Sequence, residues 1–243
     1  MKKVIVTIGL LIGVVSYSQN KRETTYGIFA GANFSEMSNL PDVLVPQGMY
    51  QGYSLSSKGK FGGVGGFYIN FKYPYANASI QPEIFYNRQG TELNYNDIKG
   101  LDYKVTFAYD YINIGVLFKY YPVEKLYVGV GPYVAFNINN KNITYSSNAA
   151  SSLADSGVYV ISDGAVQGIL RESLTGKNYF YATAALGYEI NERFSVNFRY
   201  SYGLTDALAT ENNGHRYSEN TNKVSSFMLG VGYSFDFRNL IDF

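Results

Sequence analysis

The sequence predicts an all-β protein, a closed antiparallel eight-stranded up-and-down β-barrel that crosses a membrane, and three observations carry that prediction. Apolar residues recur at every second position over eight stretches. The connections between those stretches alternate between short and long. Beyond the N-terminal leader, no apolar run approaches the ~20 residues of a membrane-spanning helix.

The alternation is clearest in "YDYINIGVLFKYYPVEKLYVGVGPYVAFNI", residues 109–138. Ile112, Ile114, Val116, Phe118 and Tyr120 share one parity, and after "PVEK" so do Leu126, Val128, Val130, Val134, Phe136 and Ile138. Period 2 means two strands joined by a tight turn, yet it does not say whether the apolar face meets a protein core or lipid. The same pattern places strands near 25–35, 60–73, 77–92, 104–121, 125–138, 178–190, 194–206 and 224–237. Most exceed the ~5–6 residues usual in soluble sheets and reach the ~9–11 that a tilted strand needs to cross a bilayer.

Three connections are tight and carry turn chemistry: "YPYAN" (73–77), "PVEK" (122–125) and "INER" (190–193). The other four, near 36–59, 93–103, 139–177 and 207–223, are expected to be long polar loops. Strict alternation of short and long puts all tight turns and both termini at one end. That asymmetry belongs to outer-membrane barrels and has no cause in a soluble sandwich, whose two ends face the same solvent. Within the longest loop, "GVYVISDGAVQGILRE" (157–172) reads as an extracellular hairpin turning at Ser162–Gly164, its arms too short to cross the bilayer; a ten-stranded barrel is the alternative. Phe107 and Tyr109 fall out of phase with Ile112, which a bulge or the exit from the bilayer near Asp110 would explain.

Composition agrees with this class. The chain has 25 Tyr, 16 Phe and 25 Gly, with 16% charged residues where soluble domains average about 25%. "MKKVIVTIGLLIGVVSYS" has the basic start, short apolar run and small-residue end of a secretory signal peptide, so residues 1–18 are expected to be removed and 19–243 to form one barrel domain. Loss of Lys2 and Lys3 leaves 18 basic against 19 acidic residues, a net charge of −1. Such a near-neutral chain is a poor candidate for nucleic-acid binding. It has no cysteine, which excludes disulfides and thiolate metal sites.

The two parities carry different chemistry. Ile80, Pro82, Ile84 and Tyr86, then Phe180 to Tyr188 and Phe194 to Tyr202 in steps of two, form uncharged apolar runs. Aromatics gather at the tight-turn ends: Phe71, Tyr73, Phe118, Tyr120, Tyr188, Phe194, Phe235 and Phe237, as an interfacial girdle would require. The opposite parity carries Lys72, Glu83, Asn113, Lys119, Glu189, Asn197, Arg199 and Asp236, with Asn87, Gln89 and Asn137. An eight-stranded barrel is just wide enough for side chains to fill it, so these balanced charges are expected to pair and close the lumen. Glu83 and Arg199 lie at equal depth from tight turns, on strands that face each other in an eight-strand ring. They are expected to meet across it.

"NASIQPEIFYNRQG" (77–90), the stretch 109–136 and "ALGYEINERFSVNFRYSYGLTD" (185–206) resemble the PorT-like family of outer-membrane β-barrel proteins. The resemblance covers nearly the whole chain after the leader. It implies an eight-stranded barrel in the Gram-negative outer membrane, in contact with its lipids, delivered by the barrel-assembly machinery, and with a role assisting secretion-system or surface proteins. "GVGYSFDF" (230–237), with Gly232, Phe235 and Phe237, also looks like the assembly signal of such barrels, although "RNLIDF" follows it.

Catalytic and cofactor signals are weak. The one histidine, His215, lies in "NNGHRYSEN" near Ser218 and Glu219, in a loop without the preorganised geometry of a nucleophilic site. "GGVGG" (62–66) lacks the Gly-Lys-Ser/Thr and helix of a phosphate loop. Asp155, Asp163 and Glu172 match no calcium-loop spacing. The sequence therefore favours a non-enzymatic barrel with large extracellular loops and no cofactor. The alternatives are a narrow porin for small solutes, an outer-membrane lipid-modifying enzyme, and a soluble lipocalin-like barrel.

Overall fold

The computed structural model describes residues 23–40, 53–98, 100–149, 161–210 and 221–235. In chain order these form β1 (Glu23–Met37), β2 (Tyr53–Tyr73), β3 (Ala78–Asp97), β4 (Asp102–Val123), β5 (Leu126–Asn137), β6 (Ile143–Ser147), helix α1 (Asp163–Ser173), β7 (Leu174–Gly176), β8 (Tyr179–Glu189), β9 (Phe194–Gly203), β10 (Leu208–Thr210) and β11 (Val224–Phe235). Eight strands close a ring in the order β1-β2-β3-β4-β5-β8-β9-β11, every pair antiparallel, with β11 returning to β1 from Tyr26–Phe235 to Met37–Val224. No helix among the described residues is long and apolar enough to cross a membrane, and crossing falls to the strands.

The turns follow from local chemistry. In "YPYAN" a short 3-10 turn over Pro74–Ala76 is closed by Asn77 in the left-handed region, φ 47°. In "PVEK" Lys125 takes φ 70° to reverse the chain. In "INER" the Asn191 side chain accepts from the backbone N–H of Arg193 (2.9 Å) and Phe194 (2.8 Å).

The parities separate as two environments. Outward lie Ile114, Phe118, Val128, Val130 (63% exposed), Phe180, Leu186, Phe198 and Leu229 (59% exposed) around the whole ring. Apolar exposure on this scale marks a surface meant for lipid rather than water. Inward, and buried, lie Asn113, Lys119, Tyr127 and Tyr133.

An eight-stranded ring leaves little room inside, and the inner face is tiled accordingly. Four inward glycines each sit opposite a large ring on the neighbouring strand: Gly27 opposite Tyr68, Gly66 opposite Phe85, Gly115 opposite Tyr133, and Gly187 opposite Tyr127. A Cβ at any of the four would lie 2.1–2.2 Å from its partner's side chain. Gly62 and Gly66 of "GGVGG" serve this close packing; a Cβ on Gly62 would meet the Arg88 carbonyl at 1.9 Å.

The structure corrects three expectations. First, β2, β3 and β4 run on beyond the lipid belt through 53–59, 93–97 and 102–103, and β3 is followed by β4 after a short connection, with Gly100 N–H donating to the Asp97 carbonyl, rather than after a long loop. Apolar outward parity stops where the lipid stops, but the ladder of backbone hydrogen bonds does not. Second, of the two explanations for the parity near Asp110, the bulge in β4 falls, since its register against β3 is continuous from Ala78–Tyr120 to Asn96–Asp102. Phe107, Tyr109 and Tyr111 are inward like Asn113; the inner face has changed from polar to aromatic. Third, Ser162–Gly164 does not turn a hairpin but starts α1. Ser162 is its N-cap, accepting from the Ala165 N–H, with Asp163 in the first turn and Arg171 in the last. The first arm of that expected hairpin falls outside the described residues, as do the leader.

Helix α1 also settles the edge of β6, which pairs with β4 on one side only. Asp163 and Gln167 accept from the N–H groups of Ser147 (2.9 Å) and Tyr145 (3.1 Å), and Arg171 Nε donates to the Ile143 carbonyl (2.8 Å). Residues spaced i, i+4, i+8 lie on one helix face, so one stripe of side chains satisfies one strand edge.

Replacing Gly187 by Val drives a branched side chain into the Tyr127 ring, which is 1% exposed and cannot retreat. The variant is expected to lose about 1–3 kcal/mol, read as a lower temperature for loss of the compact band on unboiled gels. Gly63→Ala, where a Cβ meets nothing within 4 Å, should leave that temperature unchanged.

Candidate functional site

The polar parity converges inside the ring in three layers. The central layer is a bidentate ion pair across the lumen: Arg199 Nη1 to Glu83 Oε2 at 2.6 Å and Nη2 to Oε1 at 3.0 Å, the side chains 2% and 0% exposed. Strands β3 and β9 stand four places apart in the ring, so this pair spans the barrel. Each Glu83 oxygen takes a second donor, Tyr133 OH at 2.9 Å and Gln81 Nε2 at 2.5 Å. Arg199 Nε donates to Asn197 Oδ1 at 3.0 Å, and the guanidinium lies 5.0 Å from the Phe29 ring centroid. A buried ion pair offsets its desolvation only when further partners surround it, and here both Glu83 oxygens take a second donor and every guanidinium nitrogen has an acceptor.

The tight-turn layer holds a second pair, Lys72 Nζ to Glu189 Oε2 at 3.2 Å, its side chains 33% and 24% exposed; Tyr121 OH donates to Glu189 Oε1 at 2.7 Å. Lys119 lies between the layers with its ammonium 4.1 Å from the Tyr127 ring centroid. The upper layer is tyrosine and amide. Tyr181 OH donates to Asn113 Oδ1 (2.9 Å), Tyr179 OH to Gln89 Oε1 (2.6 Å), and the Tyr133 and Tyr181 rings stack at 5.2 Å. Above them Phe107, Tyr109 and Tyr111 form a buried aromatic cluster.

Of the residues singled out by sequence, Glu83, Asn197 and Arg199 share one network, Lys72 and Glu189 a second, and Asn113 a third, while Lys119 packs on an aromatic face. Gly232 is inward, paired with Phe29 and Ser195, and Phe235 ends β11 on the outward parity. Asp236, Phe237, His215, Ser218, Glu219 and Asp155 fall outside the described residues. Asp163 caps the β6 edge, and among the described residues no group of three or more His, Cys, Asp or Glu side chains is placed to hold a metal. Sequence reasoning missed Gln81, Tyr121, Tyr179 and Tyr181 as partners. Their parity, shared with Glu83, Lys119 or Asn113, was the available signal.

Above the lipid belt, partial burial pulls the Glu92 carboxyl up, but the Lys104 ammonium at 3.0 Å and the Asn94 amide outweigh it and hold it below the ordinary carboxylate range. A carboxyl lowered on folding contributes its stability above the ordinary range and loses it as pH falls through the lowered value. Lys104→Ala should therefore move the Glu92 midpoint up toward that range in an NMR titration.

Removing one partner of the central pair strands a buried charge. Arg199→Met alone is expected to cost about 3–5 kcal/mol in denaturant unfolding, and Arg199→Met with Glu83→Gln to recover most of it. A double variant as unstable as the single would mean that packing, not charge, was lost.

The family described as "Outer membrane protein beta-barrel domain" matches residues 17–209. The fold is similar to that of the outer membrane protein OprG from Pseudomonas aeruginosa (15% identity, 89% of this chain and 98% of that one, TM-score 0.42). It is also similar to Neisserial surface protein A (9%, 89% and 100%, 0.39) and outer membrane protein W of E. coli (15%, 87% and 97%, 0.37). No curated protein matches the chain.

Proposed function

Because the chain belongs to the outer membrane protein beta-barrel domain family, we propose that this integral outer-membrane barrel is non-enzymatic and acts through its extracellular parts. In this reading it engages secretion-system or other surface proteins in the manner of PorT-like barrels. The observation that carries the reading is the closed interior. The Glu83–Arg199 pair spans the lumen, and stacked tyrosines occupy the section above it. A wall sealed in this way transports nothing along its axis, while β2, β3, β4 and β6 carry an ordered sheet past the membrane, where a partner can reach it. The proposed lumen network of Lys72, Glu83, Asn113, Lys119, Glu189, Asn197, Arg199 and Asp236 is then structural, and Gly232, Phe235 and Phe237 serve delivery by the barrel-assembly machinery.

Two measurements test the reading. In planar bilayers the purified protein should give no steady conductance, and a steady ohmic current would favour the narrow porin. In native membranes, cross-linking followed by mass spectrometry should recover a recurrent surface or secretion protein joined through the extracellular strands; recovery of bulk outer-membrane proteins in proportion to their abundance would remove the basis for a partner.

A further inference from the structure

Going up β3 and β4 on the outward parity, the lipid-facing run ends at Tyr86 and Ile112 and gives way to the Arg88–Asp110 pair, to which Tyr86 OH donates at Asp110. Gly90 and Ala108 follow, and above them the same face turns into a grid of small polar groups. The register aligns Lys58, Glu92, Thr106 and Thr144 in one row, Ser56, Asn94, Lys104 and Ser146 in the next, and Ser54, Asn96 and Asp102 in the last. The two upper rows, with Tyr95, Tyr103, Ser147 and Asn148, line a cleft of about 490 Å³, within the usual size of a small-ligand site.

We infer that this outward face docks the saccharide head group of a glycolipid in the outer leaflet. Continuity is the first argument, because the grid is the direct extension of the lipid-facing belt on the same side of the same strands. Height is the second. Four residues separate Arg88 from Glu92, roughly 13 Å along a tilted strand and about 10 Å along the membrane normal. A head-group layer adds only about 5–8 Å per leaflet, so a phospholipid ends below the rows of Asn94 and Asn96, whereas a head group several sugars deep reaches them. Chemistry is the third. Hydroxyls and amides, with the Asp102 carboxylate and the Lys104 ammonium that also meets Glu92 at 3.0 Å, offer the mixed donors and acceptors that suit a polyhydroxyl ring. The three outward rows carry no apolar or aromatic side chain of the kind that anchors protein partners; the two rings that border the cleft, Tyr95 and Tyr103, belong to the opposite parity and stack on each other at 4.5 Å.

The native chain has no cysteine, so Ser56→Cys can carry a single benzophenone without further change. The labelled protein is placed in nanodiscs of phosphatidylethanolamine and phosphatidylglycerol, in the same lipids with rough lipopolysaccharide, and in the same lipids with detached core oligosaccharide in solution. Cross-links to the glycolipid are expected in the second sample only. They should fall roughly tenfold with Asn94→Ala, Lys104→Ala and Ser146→Ala combined, and about threefold with Lys104→Gln alone, at a few hydrogen bonds of ordinary strength lost. Compact migration on unboiled gels verifies that each variant is folded. Cross-links that ignore the substitutions would mean mere proximity, and cross-links to the free oligosaccharide would mean a receptor for soluble sugar. No cross-link in any sample would mean that the face meets no saccharide; each of these results overturns the inference.

Discussion

Hydrocarbon offers no partner to a backbone N–H or C=O, and everything else in this molecule depends on that constraint. A sheet that crosses a bilayer cannot keep an open edge, so β1 must return to β11, and it does so along nearly its whole length. Once the ring is closed the pleat assigns alternate side chains to lipid and to lumen. The outward residues are then selected for contact with acyl chains, and the inward ones for filling a narrow cylinder. Above the bilayer the constraint lapses, and β6 can be an edge strand because helix α1, with water available besides, satisfies it.

Filling the cylinder is a problem of volume before it is one of charge. Eight strands leave a core only as wide as its own side chains, so a ring from one strand needs a missing Cβ on the next. The pairing of Gly27, Gly66, Gly115 and Gly187 with Tyr68, Phe85, Tyr133 and Tyr127 meets that need in register. Tyrosine suits the role because its ring occupies the section and its hydroxyl reaches a polar neighbour, as Tyr133 reaches Glu83 and Tyr181 reaches Asn113. At these positions glycine and an aromatic ring thus answer one geometric need.

The parts legible in the sequence are those where two solvents meet across one strand. Ile112, Ile114, Val116 and Phe118 alternate with Asn113 and Lys119 because one side is lipid and the other a polar lumen, and parity alone assigns each residue its side. Legibility failed wherever that contrast was lost. At Phe107 and Tyr109 the inner face turns aromatic, so an unbroken strand imitates a slipped one. At 53–59 and 93–97 both faces are off the lipid and the pattern resembles a loop. In α1 the short apolar steps of Val166, Ile169 and Leu170 fit a strand as well as a helix, and the cap at Ser162 decided the matter. The Glu83–Arg199 contact was accessible from ring geometry, but its Gln81 and Tyr133 donors required side-chain directions that no periodicity supplies.

The lumen charges contribute more to specificity than to net stability. A satisfied buried pair is close to neutral against an apolar filling of equal volume, so stability alone does not explain Arg199 and Glu83 at the centre of the barrel. Register does. A slip of one residue moves every side chain to the other face, and each Lys or Arg delivered to lipid near the midplane costs about 2–4 kcal/mol. Slipping β9 would expose Arg199 while drawing Phe198 and Tyr200 into a lumen with no room for them; slipping β4 would do the same with Lys119 and Phe118. An interior of Leu and Val would let the misregistered sheet persist at little cost, because both faces would then suit lipid. With charge inside and rings outside, only one register leaves the acyl chains uncharged and the cylinder filled, and that register also brings Arg199 opposite Glu83.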